Sequence, residues 1–199
     1  MDDKDYGACT AVELCQAVKV NEEIKKVVRI SSEVNMAALN AMLIAKRSGR
    51  ASLGFGVVSS ELRMFSRKLD GMMGRLADVV FELVRDIAEQ RKLVRSRAIL
   101  LRAAGEAPAG TLDAVLARVE QEVGAIAATI AQNKQRLLVH LELAKKLCEM
   151  GSAISRSAKI EAAYGGAFTA SLRQVSSGIE GTVEAILLTL KSLRARVAE

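Results

Sequence analysis

Apolar residues recur at alternating steps of four and three along almost the whole chain, and that spacing leaves few folds open. The first row is Val20, Ile24, Val27, Ser31, Val34, Ala38, Ala41 and Ala45. The second is Val58, Leu62, Phe65, Leu69, Met72, Leu76, Val79 and Leu83. The third runs Leu112, Leu116, Val119, Val123, Ile126, Ile130, Asn133, Leu137, His140, Ala144 and Leu147, and the fourth Phe168, Leu172, Val175, Ile179, Thr182, Ile186, Thr189 and Leu193. A repeat of about 3.5 residues draws a narrow apolar stripe down an α-helix and winds neighbouring helices into a supercoiled bundle. A half-buried strand would need alternation at every second residue instead. Proline, the residue that most disrupts helices, occurs once in 199 residues, and aromatic residues make up only 3%, so little interrupts long helices.

The rows break in three places. Ser48 to Gly54 holds two glycines among small and basic residues. Ala103 to Thr111 contains the single proline and offers Thr111 as an N-cap, and Gly165-Gly166 makes the third break. Short connections force consecutive helices antiparallel. The expected fold is all-α: one long antiparallel coiled-coil four-helix bundle, with a hairpin over 10–102 and a second over 111–198. The first and third turns would lie at one end and the proline turn at the other.

Charge and composition exclude several functions. The net charge of +6 is concentrated in Arg91 to Arg97 and Lys191 to Arg196. Nucleic-acid binding to single strands wants aromatic platforms among such cations; these stretches carry apolar residues at helical spacing and read as solvated helix faces, with no nucleic acid as partner. The start, Met1-Asp2-Asp3-Lys4-Asp5, is acidic where a signal peptide would be basic, and no continuous apolar run suits a membrane span. A cytoplasmic protein without membrane insertion is expected, with Cys9, Cys15 and Cys148 as free thiols.

No catalytic pattern appears. Gly54-Phe55-Gly56 lacks the preceding strand that a dinucleotide loop needs. His140, the only histidine, falls on the third apolar row beside Leu137 and Leu141, with Asn133 one heptad before it. It reads as a hydrogen-bonded core residue, and Asn133 as its polar neighbour or a register-fixing residue. The alternative is a small-molecule or haem sensor using the interior near His140, though no second ligand stands at a useful spacing. No enzymatic activity and no cofactor are expected.

The first break carries a longer pattern. Asn35-Met36-Ala37-Ala38-Leu39-Asn40-Ala41-Met42-Leu43-Ile44-Ala45-Lys46-Arg47-Ser48-Gly49 is followed by Gly54-Phe55-Gly56-Val57-Val58-Ser59-Ser60-Glu61-Leu62-Arg63. This resembles the kinase-control hairpin tip of methyl-accepting chemotaxis proteins, the bacterial chemoreceptors, over about residues 31–66. The resemblance implies a tip that binds a chemotaxis histidine kinase and a CheW-type coupling protein, with other chemoreceptors as further partners. By the same resemblance Met36 and Leu39 match apolar contact positions, and Asn40 and Arg47 match polar tip residues. Phe55, Val57 and Val58 match the descending helix where partners dock, with Glu61 and Arg63 a charged pair further down. The pattern departs at Ile44 and Arg50, where the family carries acidic residues.

A fainter echo surrounds the third break. Ile160-Glu161-Ala162-Ala163-Tyr164, the glycine pair and Phe168 repeat Leu43 to Arg47, the first turn and Phe55. Glu161 takes the acidic place that Ile44 lacks, and Phe168 takes that of Phe55 across a turn four residues shorter. A chemoreceptor tip is a bundle of two hairpins from two chains, so two hairpins in one chain imply a single-chain mimic of that dimer.

Overall fold

The computed structural model describes residues 3–49, 53–106, 108 and 110–198. Arg50 and the first two residues lie outside them, as does the side chain of Cys9. The chain forms α1 (Asp3–Ser48), α2 (Leu53–Glu106), α3 (Asp113–Ala162) and α4 (Thr169–Ala198), with a 3-10 turn at Gly166–Phe168 before the last. It is an all-α helical bundle, with no strand among the described residues. Each helix packs antiparallel on the next, and α1 also packs on α4, which closes the four-helix ring.

The turns differ from the sequence expectation in detail. Gly54 is the second residue of α2 and so lies in the helix, not in the turn, and Gly49, just past the end of α1, has φ +68°. Thr111 does not cap α3. Its hydroxyl donates to the Pro108 carbonyl at 2.7 Å, closing the turn itself, and Leu112 stands at the N-cap without a side-chain bond. Gly110, with φ +85°, completes that reversal in the left-handed region that glycine enters at little steric cost.

The core follows the sequence row in α1 residue for residue, from Val20 to Ala45. In α3 and α4 the buried seam runs one residue away from the expected row at alternate layers. It takes Leu137, Leu141, Ala144, Cys148, Gly151, Ser155, Ala158 and Ala162, then Leu172, Ser176, Ile179, Val183, Ile186, Leu190 and Leu193. Leu141 and Cys148, not His140 and Leu147, therefore face the bundle axis. His140 is half-buried on the flank of α3, in the same row as Asn133 and Glu161, which meet α2.

The two hairpins are related by a constant offset. Ala45 and Ala162 (162 − 45 = 117), Phe55 and Leu172 (172 − 55 = 117) and Leu76 and Leu193 (193 − 76 = 117) are buried pairs. The offset also joins Val20 to Leu137, Ser59 to Ser176 and Met73 to Leu190. It relates the two turn glycines as well (166 − 49 = 117), and both have positive φ. The turns are thus equally long between core layers, which corrects the shorter second turn read from sequence. Phe168 is not the counterpart of Phe55. It sits half-buried in the 3-10 turn, packed on the core, and Leu172 holds the Phe55 place.

Layer sizes vary along the bundle. Toward the glycine turns, the fully buried residues of α1 and α3 are the small Ala38, Ala41, Ala45, Ser155, Ala158 and Ala162, against which Phe55, Leu62, Leu172 and Ile179 of the other helices fit, with Ile44 and Ile154 packing at the margin. Away from the turns the layers are built of Ile24, Leu69, Met73, Leu141, Ile186 and Leu190. Midway, Ser66 Oγ donates to the Ser31 carbonyl at 2.7 Å and the two hydroxyls stand 3.0 Å apart, so both buried serines are satisfied. Further from the tip, Asn133 Nδ2 donates to Asp86 Oδ2 at 2.9 Å, and Arg136 reaches both Asn133 Oδ1 and Glu82 at 2.8 Å. Asn133 is paired with Asp86 rather than His140, and the pair pins α2 against α3.

Cys15–Arg47 is the one segment among the described residues long and apolar enough by composition to cross a membrane. Its apolar row is the Val20-to-Ala45 seam, spent on the other three helices.

Candidate functional site

The end of the bundle that holds Gly49 and Gly166 carries the motif. Because α1 and α2 wind around each other, the motif residues divide into an inner set and an outer set. Ala38, Ala41, Ala45, Phe55 and Leu62 point inward. Met36 (55% exposed), Asn40, Arg47, Val57 (62% exposed) and Glu61 lie outward. Leu39 and Arg63 occupy the half-buried flanks, and Val58 packs against the core from its own flank.

Phe55 is overturned as a partner-contact residue. It is 0% exposed and forms the first core layer after the turn, so its function is to anchor α2. Truncating a buried Phe of this kind costs about 3–5 kcal/mol, a structural loss with no bearing on docking. Val58 is also unsuited to a surface probe, because a charge there would enter the core margin.

Glu61 and Arg63 do not pair. Glu61 is in solvent, whereas Arg63 keeps its Nε buried without a hydrogen-bond partner, as Asn35 keeps its Oδ1. The 117-residue offset shows what the first hairpin lacks. Met42 and Arg63 stand where the second hairpin has Lys159 and Glu180, and these two form an ion pair across α3 and α4. The second hairpin is locked at this level by opposite charges, and the first leaves an arginine nitrogen unused.

Glu161 meets the first hairpin directly. A Cβ built on Gly54 would fall on the Glu161 carboxylate, 2.6 Å from its Cδ, so the carboxylate lies directly against the bare backbone of α2 here. The acidic residue of the second hairpin therefore lies against the glycine that opens the first motif's descending helix. Exposed Leu43, Leu53, Ile160 and Tyr164 complete the apolar component of this end.

Sequence reasoning missed a second close approach. A Cβ on Gly151 would lie 2.7 Å from Cε2 and Cζ of Phe65, so the ring occupies the space a side chain would need. The related positions are Val34 and Thr182 (151 − 34 = 117, 182 − 65 = 117). The phenylalanine–glycine approach is therefore not repeated in the residues at the related positions. The only signal in the sequence was a glycine inside a helical row.

Two openings lie near the level of His140, and the larger is a groove of about 730 Å³ between α3 and α4, open to solvent and lined by Leu138, Leu141, Glu142, Leu190 and Arg194 but not by His140. The cavity lined by Val80, Leu83, Leu137 and Val197, at the level where α4 ends, measures about 30 Å³, room for a guest no larger than a water. Among the described residues no group of three His, Cys, Asp or Glu side chains is placed to hold a metal ion.

The fold thus defines a single-chain antiparallel four-helix bundle with internal twofold repetition. No family model, curated protein or solved structure matches the chain.

Proposed function

We propose that this chain is a non-enzymatic chemotaxis signalling protein of the cytoplasm, whose first turn docks a histidine kinase and a CheW-type coupling protein. The observation that carries the reading is the division of the motif: residues that shape the hairpin are buried, and Met36, Asn40, Arg47, Val57 and Glu61 remain on the surface of one end. A few exposed apolar side chains set among polar ones make a reversible protein-binding patch. The repetition supports a single-chain counterpart of a two-chain receptor tip. Its ends are unequal, since Gln174 stands where the first hairpin has Val57 (174 − 57 = 117). One docking face per molecule follows, where a symmetric tip would have two.

Titrating the purified protein with the coupling protein and the kinase's regulatory domain tests this. Saturable binding is expected, weakened tenfold or more, about 1.4 kcal/mol, by Val57→Glu with the helical circular dichroism unchanged. Full affinity in the folded variant, or no binding by the unaltered protein, would overturn it.

A further inference from the structure

Helix α3 carries two apolar rows, and the bundle uses only one of them. The inner row, from Leu137 to Ala162, lies in the core. A second row keeps the alternating steps of four and three on the opposite face. It consists of Val139, Leu143, Met150, Ile160 and Tyr164, each between 49% and 67% exposed, with Lys146, Ala153 and Ser157 at the steps between them. Both rows share the 3.5-residue period, so the outer one stays turned away from the bundle axis along its whole length.

The internal repetition supplies the comparison. At the 117-residue offset (139 − 22 = 117), α1 has Glu22, Lys26, Glu33 and Arg47 where α3 has Val139, Leu143, Met150 and Tyr164. Those α1 residues are exposed as well. The same face of related helices is therefore charged in the first hairpin, as contact with water favours, and apolar in the second. A continuous apolar stripe on a helix marks a surface to be covered.

We propose that the outer face of α3 is an interface between two copies of the chain, which meet α3 to α3 and antiparallel about a twofold axis at the middle of the row. In that direction the row is complementary to itself. Tyr164 and Met150, the bulkiest members, face the smaller Val139 and Ala153 of the second copy, and Leu143 faces Ile160. Lys146, the one charge in the row, falls opposite Ser157, past which its long stem can carry the ammonium to water. A parallel copy would instead set Lys146 against Lys146, and like charges so placed repel. Twofold symmetry makes every one of these contacts twice.

The surface is large enough for a reversible dimer. Exposed by half to two-thirds, the five apolar side chains each leave roughly 100 Å² in water. Two copies would bury about 1,000 Å², where specific interfaces begin. Helix α1 packs on α2 and α4 and lies diagonally across the bundle from α3, so Met36, Asn40 and Arg47 stay clear of the contact. Dimerisation through α3 needs nothing of the docking proposed for the first turn.

Sedimentation velocity and small-angle scattering under reducing conditions test the proposal. α2 has 54 residues, so at about 1.5 Å per residue one molecule is about 80 Å long. The row from 139 to 164 spans about 38 Å, and two copies overlapping along it would extend to about 120 Å. A concentration-dependent dimer of the longer dimension is expected. Leu143→Glu combined with Ile160→Glu, both at exposed positions, should return it to an 80 Å monomer of unchanged helicity. A protein that stays monomeric from micromolar to millimolar concentration overturns the proposal, as does a dimer about 80 Å long, the outcome of parallel pairing. So does a dimer that persists in the folded double variant. The length of the unaltered dimer tests the arrangement even if the double variant fails to fold.

Discussion

Adding one methyl group at Gly151 is a sharp test of how α2 and α3 are fitted. In a helix interior, glycine to alanine ordinarily stabilises by about 1 kcal/mol, because it removes conformational freedom from the unfolded chain. Here the new carbon would lie 2.7 Å from two atoms of the Phe65 ring, where carbon atoms prefer about 3.5–4.0 Å. The ring must move by about 1 Å. It is 2% exposed and rigid, so the movement is passed to its neighbours, and such overpacking costs about 1–3 kcal/mol. The steric term outweighs the backbone term, and Gly151→Ala should destabilise by about 1 kcal/mol. Gly124 lies in the same helix with nothing within 4 Å of its Cβ direction; Gly124→Ala should stabilise by about 0.5–1 kcal/mol. Urea unfolding followed by circular dichroism measures both. Phe65→Leu in the Gly151→Ala background should recover part of the loss, with a coupling of about 1 kcal/mol in the double-mutant cycle. If Gly151→Ala stabilised as much as Gly124→Ala, the argument that Phe65 requires a glycine opposite would be wrong.

Two further outcomes follow from the polar layer and the buried thiol. Asp86→Ala leaves the Asn133 amide buried without its acceptor and should cost about 2–3 kcal/mol, whereas Asp86→Leu with Asn133→Leu should restore most of the stability by urea titration. Burial pushes the Cys148 thiol up to about 12, with the Glu149 carboxylate adding to the shift. The folded value lies above the ordinary value of 9.0, so this group's contribution to stability is complete below about pH 9 and declines as the pH rises toward 12. Native protein at pH 8 should accordingly be alkylated at exposed Cys15 and not at Cys148, with Cys148 modified only in denaturant. Mass spectrometry of the peptides distinguishes the two thiols.

Much of the fold is legible in the sequence, and the differences share a cause. In α1 charged residues stand between the members of the row from Val20 to Val34, which marks the buried face plainly; from there to Ala45 the three-and-four spacing carries it alone. In α3, apolar residues occur at both 137–139 and 141, and the alternation of three and four admits either His140 or Leu141 at the next layer. The choice depends on where α2 and α4 lie, which is a tertiary matter. The same ambiguity sets Phe168 in the core row of α4, although the 3-10 turn holds it before the helix proper. Phe55 matches a docking position by resemblance, yet it is fully buried in the first core layer of α2, one step before the row that the spacing begins at Val58. The Gly151–Phe65 and Gly54–Glu161 approaches join residues about a hundred positions apart, and no local pattern encodes such a fit.

The contrast in layer size gives the bundle two mechanical regimes. Near the glycine turns the fully buried side chains of α1 and α3 are alanines and serines, with only Ile44 and Ile154 at the margin to engage a neighbouring groove. Turning such a helix about its own axis drags few interlocked groups, and the dispersion energy given up is correspondingly small. Around Leu69, Met73, Leu141 and Leu190 both partners carry long side chains that mesh like gear teeth, and the same rotation would have to unseat them together. A torque delivered at the turn end is therefore taken up as twist over the alanine layers and arrested at the leucine layers. The bundle has a compliant head on a stiff shank.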